Sequence, residues 1–159
     1  MTPLPRIIPL AVAGVSGLAL AAAFTAEYGF GLLPCVLCLY QRVPFALNLV
    51  LGGAGVLAPA WSRRLVVLSA LTFLIGSGIA AFHVGVEQHW WAGTSSCSAK
   101  PLGVLSAADI QAALSRPAVI PCDTPQWDLF GITMAGYNVA FSLGLAMLAA
   151  WAALRWGKD

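Results

Sequence analysis

Trp61-Ser62-Arg63-Arg64 separates two long apolar runs, residues 36–60 and 65–86, and its reading decides the fold. A linker this short between such runs allows only a tight turn between antiparallel helices, and its arginines mark the membrane side on which that turn lies. A helix needs about 20 mostly apolar residues to cross the hydrocarbon core. Two further stretches, 7–26 and 133–154, meet that length. The expected architecture is therefore an all-α membrane protein, one domain built as a four-helix transmembrane bundle with a long outward-facing loop.

Composition agrees with this reading. Of 159 residues, 60% are hydrophobic and 9% charged, whereas a soluble globular chain carries about 25% charged residues. A net charge of +2 without a basic run gives no electrostatic support for nucleic-acid binding, and no glycine-rich phosphate loop points to a nucleotide enzyme. The first run follows Arg6 and exceeds the apolar length of a signal peptide, so Ala21-Ala22-Ala23 and Thr25-Ala26 are read as part of a span and not as cleavage sites. In the second run Pro44 predicts a kink or a first turn, and Gly52, Gly53 and Gly55 permit close helix packing.

The basic residues set the orientation. Arg6, Arg63, Arg64, Arg155 and Lys158 fall on one side, against Arg42, Lys100 and Arg116 on the other, which predicts both termini in the cytoplasm. Residues 27–35 and 87–132 then face outward. The second loop is too long for a structureless connection and suggests function. Trp90, Trp91 and Trp127 mark its edges as interfacial aromatics. Within it, residues 106–115 read as a short helix, with Ser106 and Asp109 at its start and Pro117 just beyond its end.

All four cysteines, Cys35, Cys38, Cys97 and Cys122, lie in or at the edge of the outward segments. The outside of a bacterial inner membrane is oxidising, so two disulfides are expected, and three connectivities are possible. Cys35 and Cys38 have the two-residue spacing of redox-active dithiols at the start of a helix opened by Pro34. A disulfide closing so small a ring gains little from loop entropy, and a helix N-terminus stabilises the thiolate released when it opens. Arg42, four residues after Cys38, shares its helix face and is expected to bring a cation towards that sulfur. The plainer readings are an inert clip for the cysteines and an interfacial snorkelling arginine. A four-cysteine zinc site fails on spacing, because Cys97 and Cys122 are 25 positions apart, and no metal is expected.

Two stretches carry a family resemblance. Cys35-Val36-Leu37-Cys38-Leu39-Tyr40-Gln41-Arg42 heads the second span, and Cys122-Asp123-Thr124-Pro125-Gln126-Trp127-Asp128-Leu129-Phe130-Gly131 precedes the last. With the span count and Cys97, the chain resembles the DsbB family of bacterial inner-membrane disulfide bond formation proteins along essentially its whole length. The resemblance implies redox-active pairs Cys35 with Cys38 and Cys97 with Cys122. It implies a DsbA-like periplasmic thioredoxin-fold oxidase as partner, and a membrane quinone, ubiquinone or menaquinone, as acceptor near Arg42. No family motif aligns between His83 and Cys97 or from Lys100 to Pro121. His83 and Glu87, an i, i+4 pair, are candidates to line the quinone pocket, against the plainer reading of an interfacial histidine beside a solvated carboxylate. His89 reads as an interface residue. The competing functional reading is a small membrane scaffold or assembly protein with two purely structural outer disulfides.

Overall fold

The computed structural model describes residues 4–95, 97 and 120–156. It contains four helices long and apolar enough to cross a membrane: α1 (Leu4–Phe24), α2 (Val36–Leu57), α3 (Ser62–Glu87) and α4 (Met134–Arg155). The expected short helix at 106–115 lies outside the described residues.

The boundaries differ from the sequence expectation for local reasons. Beyond α1 the first span continues as a π-helical turn, Thr25–Gly29, where the Thr25 hydroxyl donates to the Ala21 carbonyl at 2.8 Å. Glu27 therefore belongs to the helical column and not to a loop. The second span stops at Leu57 because Ala58 precedes a proline, which disfavours helical geometry, and takes φ −121°, ψ 77°. The turn itself is Ala58 plus the 3-10 segment Pro59–Trp61. Ser62-Arg63-Arg64, expected as the turn, form the first turn of α3, and the Ser62 hydroxyl donates to the Gly55 carbonyl at 2.6 Å.

Before α4 the chain makes a small hairpin, β1 (Asp128–Leu129) against β2 (Ile132–Thr133), that the loop expectation did not contain. Its two central residues, Phe130 and Gly131, have φ of 54° and 75°, the left-handed pair that a tight primed turn requires. Thr133 then caps α4 by accepting from the Gly136 amide.

In packing, α3 sits centrally against α2 and α4, and α1 lies against α2. The contact between α1 and α4 is marginal. The bundle is thus tight on three seams and open on the fourth. Where α1 meets α2, a Cβ added at Gly52 would lie 2.6 Å from the Pro9 carbonyl oxygen and from the Ala13 nitrogen. Only a glycine allows that approach. At the α3–α4 seam, Val66, Ala70, Ala149 and Ala153 form a small-residue core. Large apolar side chains such as Leu10, Val50, Ile75 and Leu148 face outward, as lipid contact demands. The four-span count brings both helical ends, Leu4 and Arg155, to the end of the bundle opposite the cysteines.

Candidate functional site

The site begins with the helix start. Cys35 is the N-cap of α2, with φ −73° and ψ 169°, and its sulfur accepts from the Cys38 amide at 3.2 Å. One helical turn returns the Cys38 sulfur to within 2.6 Å of it. The Cys35 sulfur therefore sits at the positive end of the helix dipole. Cys35 precedes the second span, and its thiol is pulled well below the ordinary range. The Cys38 thiol contributes most by hydrogen-bonding to it, burial works against the shift, and His83 and the Cys38 amide add to it.

The second cysteine pair reaches the same place from the long loop. Cys97 and Cys122 are disulfide-bonded, and the Cys122 amide donates to the Cys97 carbonyl at 3.2 Å. Cys35, Cys97 and Cys122 pack with Leu37 and Val86 in one buried cluster, with Cys38 and Ile120 against it. The loop is also tied to the shorter one, because the Gln126 side-chain amide donates to the Leu33 carbonyl at 2.6 Å.

His83 joins the two pairs. Its Nε2 lies 3.2 Å from the Cys122 carbonyl oxygen and 3.6 Å from the Cys35 sulfur. A carbonyl only accepts, so Nε2 carries hydrogen in this arrangement. Gln41 fixes the other nitrogen: its Nε2 donates to the Leu37 carbonyl at 3.3 Å and to His83 Nδ1 at 2.8 Å. Its Oε1 accepts from Asn138, whose Oδ1 accepts from Ser142. Glu87 completes the group, with Oε1 3.7 Å from His83 Nε2 and Oε2 accepting from Thr133 at 2.6 Å. His83 is 4% exposed and Glu87 9%, so the alternative of an interfacial histidine with a solvated carboxylate is overturned. His89, by contrast, is exposed in the turn after α3 with φ 57°.

Arg42 departs from expectation. Its guanidinium does not serve the Cys38 sulfur. It pairs with Glu27 and lies over the Phe24 ring, 5.1 Å from the centroid. The π-helical turn is the reason, since it keeps Glu27 on the helical column facing α2. A cation inside a span costs about 2.5–3.5 kcal/mol, and here a carboxylate offsets it. Sequence reasoning missed Glu27 because the turn that presents it was read as loop. It also missed Gln41, Asn138, Ser142 and Thr133. Amide side chains within otherwise apolar spans were the available signal.

These groups open onto a cavity of about 590 Å³ at the α1–α4 gap, with Cys35, Cys38, Arg42, His83 and Glu87 among its walls. Apolar residues such as Leu18, Ala19, Phe45 and Phe141 line its depth.

Fold and site together define a multi-pass helical membrane protein with two cysteine pairs gathered at one end. The family model described as "Disulfide bond formation protein DsbB" matches residues 5–152, and the chain belongs to that family. The chain is 33% identical over 153 residues to Disulfide bond formation protein B of Xanthomonas axonopodis pv. citri, covering 92% of this chain and 86% of the relative. It is 28% identical over 131 residues to the protein of the same name from Actinobacillus pleuropneumoniae, covering 77% and 72%. It is also 26% identical over 143 residues to the uncharacterized protein RP370 of Rickettsia prowazekii, covering 88% and 83%. No solved structure matches the chain. The resemblance drawn from the two cysteine motifs holds.

Proposed function

We propose that the chain is a quinone-dependent thiol oxidase of the bacterial inner membrane, with both termini cytoplasmic, that reoxidises a DsbA-like thioredoxin-fold partner. The observation that carries this reading is the gathering of both cysteine pairs, Cys35, Cys97 and Cys122 buried and Cys38 packed against them, beside a cavity among the span-length helices. A purely structural pair of disulfides needs neither the shared cluster nor the cavity.

The sulfur chemistry balances within the chain. A partner thiolate attacks Cys97, forming a mixed disulfide and releasing Cys122 as thiolate. Cys122 attacks Cys35 in the oxidised Cys35–Cys38 pair, and Cys38 leaves as thiolate. The partner's second thiol then resolves the mixed disulfide, departs oxidised, and frees Cys97. Attack of Cys97 on Cys122 restores their disulfide and leaves Cys35 and Cys38 reduced by two electrons. The His83 Nε2–H, near both the Cys35 sulfur and the Cys122 carbonyl, orients the residues that exchange.

The cavity fits a quinone head group: about 590 Å³ falls within the roughly 300–1,000 Å³ of small-molecule sites. When bound, the quinone supplies the two-electron acceptor that is taken to quinol with two protons. Arg42, His83 and Glu87 would hold it. Glu27 engages one guanidinium nitrogen of Arg42, and guanidinium carries five donors in all. Arg42 would then supply positive charge to an electron acceptor held in the cavity. The test is anaerobic titration of the purified protein with a reduced thioredoxin-fold partner and added quinone, with optical detection of quinol. One quinol per partner dithiol oxidised is expected. Partner oxidation without quinol, or no exchange at Cys97, would overturn the reading.

A further inference from the structure

Cys35, Cys38 and His83 place one sulfur, a second sulfur and one imidazole nitrogen within 4.8 Å of one another. Once the two cysteines are reduced, that is the donor set of a thiophilic metal site. We propose that the reduced Cys35–Cys38 pair and His83 Nε2 bind a soft divalent ion such as zinc or cadmium, and that the bound ion arrests the relay. The arrest, though not the binding, rests on the function proposed above.

The geometry can be tested against bond lengths. With Zn–S near 2.3 Å and Zn–N near 2.05 Å, a tetrahedral site has an S···N edge of roughly 3.5 Å and an S···S edge of roughly 3.8 Å. The Cys35 Sγ to His83 Nε2 separation is 3.6 Å, already at the required edge. The two sulfurs, 2.6 Å apart, must separate by about 1 Å. Rotation of the half-buried Cys38 side chain supplies that without moving the N-cap. Water or an added ligand takes the fourth position. Two thiolates around a dication leave the site without net charge, and any proton the thiols still carry leaves to solvent. The three donors line the cavity, which gives an ion its entry path.

The surrounding hydrogen bonds adapt to this change. A metal on Nε2 requires the proton on Nδ1, and a bound histidine donates that N–H to an outer partner. Gln41 becomes that partner by turning its amide, so that Oε1 accepts from Nδ1. Asn138 turns with it, accepting from Gln41 and donating to Ser142. The Gln41–Asn138–Ser142 chain keeps each of its links in the reversed sense. What is given up is the Gln41 contact to the Leu37 carbonyl and the Nε2 contact to the Cys122 carbonyl. The second loss also loosens the loop that carries Cys122.

Cobalt(II) serves as the probe because thiolate coordination gives it charge-transfer and tetrahedral visible bands. The full-length protein is reduced anaerobically with a phosphine, the excess is removed, and cobalt(II) is titrated in. One ion per chain is expected, displaced by zinc, with none bound to the oxidised protein. The bands should persist in the Cys97→Ser/Cys122→Ser protein and vanish in Cys35→Ser/Cys38→Ser. His83→Ala should weaken binding and shift the visible bands, and Gln41→Leu should weaken it about 10-fold. If His83→Ala fails to fold, Cys38→Ser decides in its place by loss of the bands. Absence of thiolate bands in the reduced protein, or bands that survive loss of Cys35 and Cys38, would overturn the site. Zinc bound with no slowing of reoxidation by added quinone would overturn the arrest alone, and it would leave quinol formation by the metal-free protein as a separate result.

Discussion

The cysteine-bearing end of the bundle, its outer end on the orientation proposed above, and the middle of the bundle bury polar groups in opposite ways. At the outer end, groups from α2, α3, α4 and the long loop are hydrogen-bonded in an unbroken set running from Ser142 through Asn138, Gln41 and His83 to the Cys122 carbonyl. In the middle, the Ser16 and Ser69 hydroxyls and both amide atoms of Asn48 are buried without a hydrogen-bond partner among the described residues. Neighbouring contacts place these three at one depth. Gly17 faces Leu49, and Ser69 lies midway between the Ser62–Gly55 and Gly76–Pro44 contacts. The difference separates two tasks. On the function proposed here, the outer end holds groups whose protons and electrons must move, so each is oriented by another. The middle is held by close approach of backbones, and its polar side chains orient nothing.

The largest effect should come from breaking that close approach. Gly52→Val places carbon against the Pro9 carbonyl and the Ala13 backbone, neither of which can yield, whereas nothing lies within 4 Å of a Cβ at Gly53. Gly52→Val is expected to cost about 3 kcal/mol or more, at the upper end of overpacking costs, and to abolish recovery of folded protein. Gly53→Val should unfold within about 0.5 kcal/mol of the parent, the usual range for surface substitutions. Thermal unfolding in detergent or lipid measures both. Equal losses would mean that the α1–α2 seam does not hold the bundle.

The second effect is confined to chemistry at the outer end. Arg42→Met removes the guanidinium from the cavity wall and strands Glu27. On the function proposed here, quinol formation should fall about 100-fold, the loss typical of removing one charge-stabilising donor. Disulfide exchange of Cys97 with a reduced partner should be unchanged, and Arg42→Lys should be intermediate because it keeps charge but not the planar fork. Arg42→Met/Glu27→Gln separates catalysis from the stranded carboxylate. Activity restored in the double variant would show that the pair only balances charge.

Sequence reading recovered the framework well and the site in part. Span count, antiparallel order and the gathering of cysteines at one end follow from apolar length and arginine placement, which operate residue by residue. Arg42 was assigned to Cys38 from i, i+4 spacing, and that rule knows nothing of a π-helical turn on another helix that delivers Glu27. The partners of His83 lay 42 and 39 positions away, at Gln41 and Cys122, and spacing cannot pair residues on different elements. The Phe130–Gly131 hairpin was hidden because phenylalanine is an unusual choice for a left-handed turn position.

A third, smaller effect tests how the outer end holds its thiolate. Cys35's lowered folded-state value favours the charged form. The stabilisation of the reduced protein by this thiolate is therefore present above the ordinary thiol range, near 8.5, and is lost as pH falls through the lowered value. Thiolate absorbance of the reduced Cys97→Ser/Cys122→Ser protein should accordingly survive at neutral pH. Cys38→Ala, which removes the largest contribution, should raise the titration midpoint more than His83→Gln does. The reverse order would place the control of Cys35 in the histidine and not in its helical neighbour.

The smallest effect sharpens the comparison most directly, because one substitution is made in both regions. Ser142→Ala removes the hydroxyl that donates to Asn138 at 2.9 Å, leaving a half-buried amide oxygen unpaired. That should cost about 1 kcal/mol, the lower end for stranding a neutral acceptor. Ser69→Ala removes a hydroxyl that has no partner to strand and should be neutral or slightly stabilising, within about 0.5 kcal/mol. Both serines are about 1% exposed and both lie within membrane-spanning helices, so burial and helix propensity cancel between them, leaving the partner as the difference. Equal costs in equilibrium unfolding would show that the mid-bundle hydroxyl has a partner after all. A buried water bridging Ser16, Asn48 and Ser69 is the group with the right chemistry, since each water makes about three hydrogen bonds to otherwise unpaired buried atoms. The middle of the bundle would then be hydrogen-bonded as fully as the outer end.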